Sequence, residues 1–138
     1  MATNIFVNLP VKDLNRSVAF FTKLGYRFNP QFTDENATCM IVDDRIYVML
    51  LVEKFFQTFT SKTLVDAHQA TEVLVALSCE SREKAEELVS KAVAAGATTP
   101  MPSKDYGFMF QHGFQDLDGH LWEVFYMDPS HIQEPPKA

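Results

Sequence analysis

Basic residues are scarce in this chain: 12 Lys and Arg stand against 18 Asp and Glu, for a net charge of −6. Nucleic-acid backbones are held by clustered Lys and Arg. Neither a basic run nor an Arg-aromatic stripe occurs here, which argues against a nucleic-acid partner. Long apolar runs are also missing. The longest, around Ile46–Val52, falls far short of the roughly 20 residues that a membrane span requires. The N-terminus passes directly into Ile5-Phe6-Val7 with no basic region before an apolar block, so no signal peptide is expected and the cytoplasm is the default location. The two cysteines, Cys39 and Cys79, lie in apolar strand-like segments and read as buried free thiols rather than a bridge. Glycine-rich phosphate loops and nucleophile elbows are absent from the sequence.

What is present is a core. The chain has 138 residues, 46% of them hydrophobic, with 12 Phe, enough for one domain over 1–132. A flexible tail is expected over 133–138, where two prolines interrupt any apolar pattern.

The sequence repeats itself. Ile5–Val11 alternates like a strand, Asp13 is a helix N-cap, and Leu14, Val18, Phe21 and Leu24 follow at helical spacing until Gly25. The order returns with the strand Val73–Cys79, the cap Ser81, a helix carrying Ala85, Leu88, Val89, Ala92 and Val93, and then Gly96. A short extended piece ending at proline follows each helix, Tyr26–Pro30 and Ala97–Pro100. Two further strands close each half: Ala37–Val42 and Ile46–Val52, then Phe108–Gln115 and Leu121–Met127. Each half therefore reads β-α-β-β-β, with module one at about 4–53, a connector at 54–71 and module two at about 72–128. Within the connector, Glu53–Phe59 or Leu64–Gln69 could form a short helical turn. The expected class is α+β, a curved mixed sheet around a cup with the helices on its outer face.

Strand side chains alternate between faces. On the first strand Ile5, Val7, Leu9 and Val11 should pack under the helix, leaving Phe6, Asn8 and Pro10 for the cup. In the second module Val75, Leu77 and Cys79 go under the helix, and Leu74, Ala76 and Ser78 face the cup. The last strand divides into Trp122, Val124 and Tyr126 on one face and Leu121, Glu123 and Phe125 on the other. Glu123 is the anomaly, a carboxylate in an apolar strand that needs water, a partner or a ligand. If Asp116–Gly119 is a four-residue hairpin loop, His112 falls opposite Glu123, giving an acid-base or hydrogen-bonded pair on the inner face.

Val11-Lys12-Asp13-Leu14-Asn15-Arg16-Ser17-Val18-Ala19-Phe20-Phe21 with Leu24-Gly25-Tyr26 resembles the opening of the vicinal oxygen chelate superfamily, which includes glyoxalase I, extradiol dioxygenases, and fosfomycin- and bleomycin-resistance proteins. Asp116-Leu117-Asp118-Gly119-His120-Leu121-Trp122-Glu123 resembles its D-P-D-G-x-x-x-E ending, with Leu117 in place of proline. Among the branches the chain is most similar to predicted lactoylglutathione lyases. The resemblance implies paired modules, homodimers, and a divalent metal that chelates vicinal oxygens of the substrate. Its ligand positions fall on Phe6, on Val48 or Met49, on Leu74 (with Glu72 nearby) and on Glu123. Three of these four carry no donor suited to Mg²⁺, Ni²⁺ or Zn²⁺.

The expected function is therefore small-molecule binding without the usual metal site or any other cofactor. Glu123 and His112 would be the reactive or orienting pair, and Phe6, Asn8, Leu74, Phe108, Phe110 and Phe125 the lining. The alternative is a metal-dependent lyase or dioxygenase with a divalent ion on displaced ligands such as Glu72, His112, His120 and Glu123. A sequestering module of the drug-resistance kind is the third class. Lys104 and Tyr106 could lie on a rim loop, with a solvated surface role the preferred reading for both.

Overall fold

The computed structural model describes residues 2–131, so the tail expected at 133–138 lies outside the described residues. Two compact units are formed. One runs through Thr71 and takes in Leu117–His120; the other comprises Glu72–Asp116 and resumes at Leu121.

The first unit contains β1 (Ile5–Val11), α1 (Leu14–Lys23), β2 (Arg27–Asn29), β3 (Ala37–Asp43), β4 (Ile46–Val52) and α2 (Glu53–Phe56). Its sheet runs β1-β4-β3-β2, with β1 parallel to β4 and the other pairs antiparallel. Aliphatic residues at alternate positions decide which face is buried. Leu9 and Val11 on β1, Val48 and Leu50 on β4, and Thr38 and Met40 on β3 form one buried face, to which α1 adds Leu14, Phe20 and Phe21. The Asp13 carboxylate accepts from Arg16 N at 3.1 Å, a cap that contributes about 1 kcal/mol. The helix ends in a Schellman turn: Gly25 N–H reaches Thr22 O at 3.0 Å, and Tyr26 N–H reaches Phe21 O at 3.1 Å. That geometry requires the left-handed φ of +104° at Gly25.

The second unit repeats the plan with β5 (Leu74–Ser78), α3 (Arg82–Ala94), β6 (Lys104–Asp105), β7 (Met109–Gln115) and β8 (Leu121–Met127) in the order β5-β8-β7-β6. Ser81 Oγ caps α3 by accepting from Lys84 N at 3.1 Å. The same Schellman pair closes the helix, Gly96 N–H to Val93 O and Ala97 N–H to Ala92 O. Trp122, Val124, Phe110 and Phe114 meet Ala85, Val89 and Ala92 of α3 in the core. The β-α-β-β-β repeat and the α+β class are thus as expected.

Two details differ. The second strand of this module is Lys104–Asp105 rather than Ala97–Pro100, because Pro100 and Pro102 lack the N–H that a ladder needs; only Thr98 bridges, to Gln115. Lys104 therefore lies on a strand and not on a rim loop. Of the two helical turns considered for the connector, Glu53–Phe56 forms, followed by a 3-10 turn at Gln57–Phe59. Both cysteines are free thiols, as expected, and burial raises both above the ordinary thiol value.

Candidate ligand-binding face

The turn between β7 and β8 carries most of the signature residues, and each does a different job. Asp116 is 5% exposed and accepts from the indole Nε1 of Trp122 at 2.9 Å. Asp118 points to the start of α1, where its Oδ1 accepts from Lys12 N (2.9 Å) and Arg16 Nη2 (3.3 Å) and its Oδ2 from Ser17 Oγ (3.1 Å). A carboxylate at a helix N-terminus is favoured by the helix dipole as well as by these donors. Gly119 has φ +92°, and a Cβ there would stand 2.5 Å from His68 N and 2.6 Å from Ala67 C, so the connector can cross the turn only over a glycine. His120 Nε2 lies 2.7 Å from Pro10 O. A cavity of about 150 Å³ remains beside this crossing. Its Asp118 and Asp66 carboxylates already accept backbone N–H groups, from Lys12 and His68, so it reads as a packing gap.

Glu123 is the signature residue without such a job. Among the described residues its carboxylate makes no hydrogen bond and no ion pair, and it is half-buried. The ladder fixes its neighbours. Ala76 of β5 pairs with Glu123 on one side and Gly113 of β7 on the other. Leu121, flanked by Leu74 and Gln115, precedes it on the same face; Phe125, flanked by Ser78 and Gln111, follows. None of these residues belongs to the buried core. The result is a carboxylate with the two smallest side chains beside it and larger apolar and amide groups above and below. Gly113 is obligatory: a Cβ there would lie 2.6 Å from the Trp122 carbonyl oxygen.

This register corrects the expected His112–Glu123 pair. His112 is opposite Val124, on the face that carries Phe110 and Phe114 and packs under α3. The loop has five residues, Asp116–His120, because Gln115 pairs with Leu121 and not with His120. One residue of slip moves a whole strand to its other face. For the same reason Phe110 is no lining residue. It is 5% exposed and lies under the Arg82 guanidinium, 4.5 Å from the ring centroid. Phe108 precedes β7, and its ring tilts against His131 (5.5 Å) and Tyr106 (6.3 Å). Gln111, Gly113 and Gln115 occupy the open face expected for Phe108, Phe110 and His112.

Leu74, Glu123 and Phe125 do share the open face of the second unit. Phe6 and Asn8 lie on the open face of the first, opposite Tyr47 and Met49. Phe6 stacks on Tyr47 at 4.8 Å with an 18° interplanar angle and is 47% exposed.

The donor set implied by the fold can be tested residue by residue. Met49 pairs with Asn8 on the open face whereas Val48 is buried on the other, so the four positions are Phe6, Met49, Leu74 and Glu123. A phenyl ring, a thioether, an isobutyl group and one carboxylate do not fit a hard or borderline divalent ion. The displaced set is not assembled either: His112 faces α3 and His120 is held at Pro10 O. Among the described residues no three His, Cys, Asp or Glu side chains converge.

Residues 3–42 match the family model described as Bleomycin resistance protein-like N-terminal. The chain is similar to the structure of a hypothetical protein from S. aureus, with 27% identity, a TM-score of 0.77, and 91% of this chain and 95% of that one covered. A glyoxalase/bleomycin resistance protein/dioxygenase family enzyme from Burkholderia phytofirmans gives a TM-score of 0.77 at 16% identity, covering 91% and 99%. The fosfomycin resistance protein FosX from Listeria monocytogenes gives 0.66 at 18%, covering 94% and 97%. No curated protein matches the sequence. The repeat, the sheets and these likenesses define the fold class, that of glyoxalase/bleomycin resistance/dioxygenase proteins. Within that class, the match to the bleomycin-resistance-like model lies entirely in the first unit.

Proposed function

We propose that the protein binds a small organic molecule on the Glu123 face without a chelating metal, as a binding or sequestering member of its class. The observation that carries this reading is that Glu123 alone keeps an oxygen donor at the four metal positions and yet has no partner among the described residues. Ala76 and Gly113 leave lateral room at the carboxylate, Leu121 and Phe125 supply apolar area, and Gln111 supplies an amide that orients a ligand. The fosfomycin resistance protein FosX of Listeria monocytogenes shares this fold. Exposed apolar groups on the strands, Phe6 at 47% and Leu74 at 50%, support assembly as a homodimer, to be checked by sedimentation. Among the described residues no helix is long and apolar enough to cross a membrane, and the cytoplasm is the proposed location.

Metal analysis of protein purified without chelator, followed by thermal melts with Ni²⁺, Zn²⁺, Mn²⁺, Fe²⁺ and Mg²⁺, tests this. An ion bound only by the folded state, at a hundred times its dissociation constant, adds about 2.7 kcal/mol, a rise of several degrees in Tm. The expected result is no stoichiometric metal and no rise. Stoichiometric metal that a Glu123→Gln variant fails to retain would overturn the proposal in favour of lyase or dioxygenase chemistry.

A further inference from the structure

We propose that the molecule held on this face is an organic cation, an ammonium or amidinium attached to a flat apolar body, with its charged head against Glu123 between Ala76 and Gly113. The inference rests on the reading of the Glu123 face as a ligand site and adds the charge and shape of what binds.

Three observations carry it. Glu123 is the one charged group on its stretch of β5, β7 and β8, and no described residue neutralises it. The next charge on the same face is Lys104, which pairs with Gln111 on the edge strand β6. Strand spacing sets it roughly 10–15 Å from Glu123, too far to pair with the carboxylate directly. A ligand that covers Leu121 and Phe125 strips water from this carboxylate. A neutral ligand would leave the charge without a counterion, and an anion would add repulsion; a cation offsets both costs.

Shape agrees with charge. Position 113 cannot carry a Cβ, since it would meet Trp122 O at 2.6 Å, and position 76 carries only a methyl group. Two strand spacings, roughly 10 Å, separate positions 76 and 113 across the carboxylate, and neither carries a bulky side chain. A planar N–H-bearing head fits that width and can bond a carboxylate bidentately. The Phe125 ring, one step along β8, provides an aromatic neighbour for the cation or for its body. The acidic balance of the chain, −6, favours approach of cations over anions.

Benzamidine, benzamide and benzoate are near-isosteric and differ in charge, so they make a direct probe set. Binding at up to millimolar concentration is followed by ¹H–¹⁵N chemical shifts at the Ala76, Gly113, Glu123 and Phe125 amides at low salt. Benzamidine should bind at least tenfold tighter than benzamide, with no saturable shift from benzoate. In Glu123→Gln the benzamidine preference should disappear. Ala76→Leu, on the opposite flank and with the carboxylate intact, should weaken benzamidine at least fivefold without lowering the melting temperature. Equal binding of benzamidine and benzamide at these amides overturns the cation proposal while the ligand-face reading stands. So does a preference that survives Glu123→Gln. If none of the three perturbs these amides, both are overturned.

Discussion

Replacing Gly113 with alanine would put a Cβ 2.6 Å from the Trp122 carbonyl oxygen and 3.7 Å from the Glu123 Cα. Ordinary carbon-to-oxygen contacts begin at about 3.3 Å, so the two strands must part by roughly 0.7 Å at this point. No rotamer can relieve the contact, because the obstructing atoms are backbone. They belong to β8, which is held between β5 and β7. Overpacking of this kind costs about 1–3 kcal/mol. Losing the entropic penalty of a glycine in a strand returns about 0.5–1 kcal/mol, for a net destabilisation of about 1–2 kcal/mol. In a domain of this size that lowers Tm by about 3–10 °C. Thermal and urea melts of Gly113→Ala measure it, with Gly25→Ala as the comparison. Gly25 has open space around it but a φ of +104°, so its cost is backbone strain alone and leaves the β7–β8 ladder unmoved. Amide shifts should spread along β7 and β8 in the first variant and stay near the end of α1 in the second. A Gly113→Ala protein as stable as the parent, with an undisturbed ladder, would refute the close approach and with it the geometric account of the niche beside Glu123.

Trp122→Phe removes the donor to Asp116 Oδ2 at 2.9 Å and part of a side chain that is 1% exposed; the cost should be about 2–4 kcal/mol in urea unfolding, and a loss below 1 kcal/mol would contradict it. Asp118→Asn weakens three hydrogen bonds to the start of α1. It should cost about 1–3 kcal/mol in the same assay while leaving amide shifts around Glu123 in place. The Gly107 N–H, and after it the Arg82 guanidinium, hold the Asp105 carboxyl below its usual value. A depressed folded value means a stabilisation that is present above the unfolded carboxylate value of about 3.9. It is lost as pH falls through the lower folded one. The Tm gap between parent and Asp105→Asn should therefore be present at pH 7 and close by about pH 2–3, and a gap constant across that window would count against the pairing.

The faces of β1, β5 and β8 were legible because the sets turned away from the open face are uniformly apolar. Leu9 and Val11 are buried, Val75 and Leu77 half-buried, and Trp122 and Val124 buried, while Ile5, expected under the helix with them, is 53% exposed at the start of β1. Helix ends were legible for the same local reason, since Asp13, Ser81, Gly25 and Gly96 each answer a backbone demand of the first or last turn. The face of β7 was missed through loop length. His120 reads as the first residue of the last strand, but its Nε2 lies against Pro10 O and the residue stays in the turn, which shifts the register by one. The rule that sorted β1 would have found the answer. Phe110 and Phe114 alternate with Gln111, Gly113 and Gln115, and the aromatic stripe is the buried one. What no local rule contains is the tertiary approach that makes Gly113 obligatory or the way Asp118 reaches back across the sequence to Lys12 and Ser17.

That reach bears on how far the signature can be trusted as a mark of chemistry. Asp116 orients Trp122, Asp118 satisfies the start of α1, and Gly119 lets the connector pass; these three roles concern folding and operate with or without a metal. A chain can therefore carry the motif and the fold while its metal positions hold Phe6, Met49 and Leu74. Glu123 differs because packing does not explain it. A half-buried carboxylate between Ala76 and Gly113 with no partner among the described residues costs stability relative to a neutral side chain, and glutamine would fill the same volume without the charge. The simplest physical reason for a carboxylate here lies outside the fold, in a bound group that needs one. Glu123→Gln should then raise the melting temperature of the free protein while abolishing its preference for a cationic ligand. A lower melting temperature in the free variant would mean that Glu123 serves the fold after all, and the functional reading of this face would fail with it.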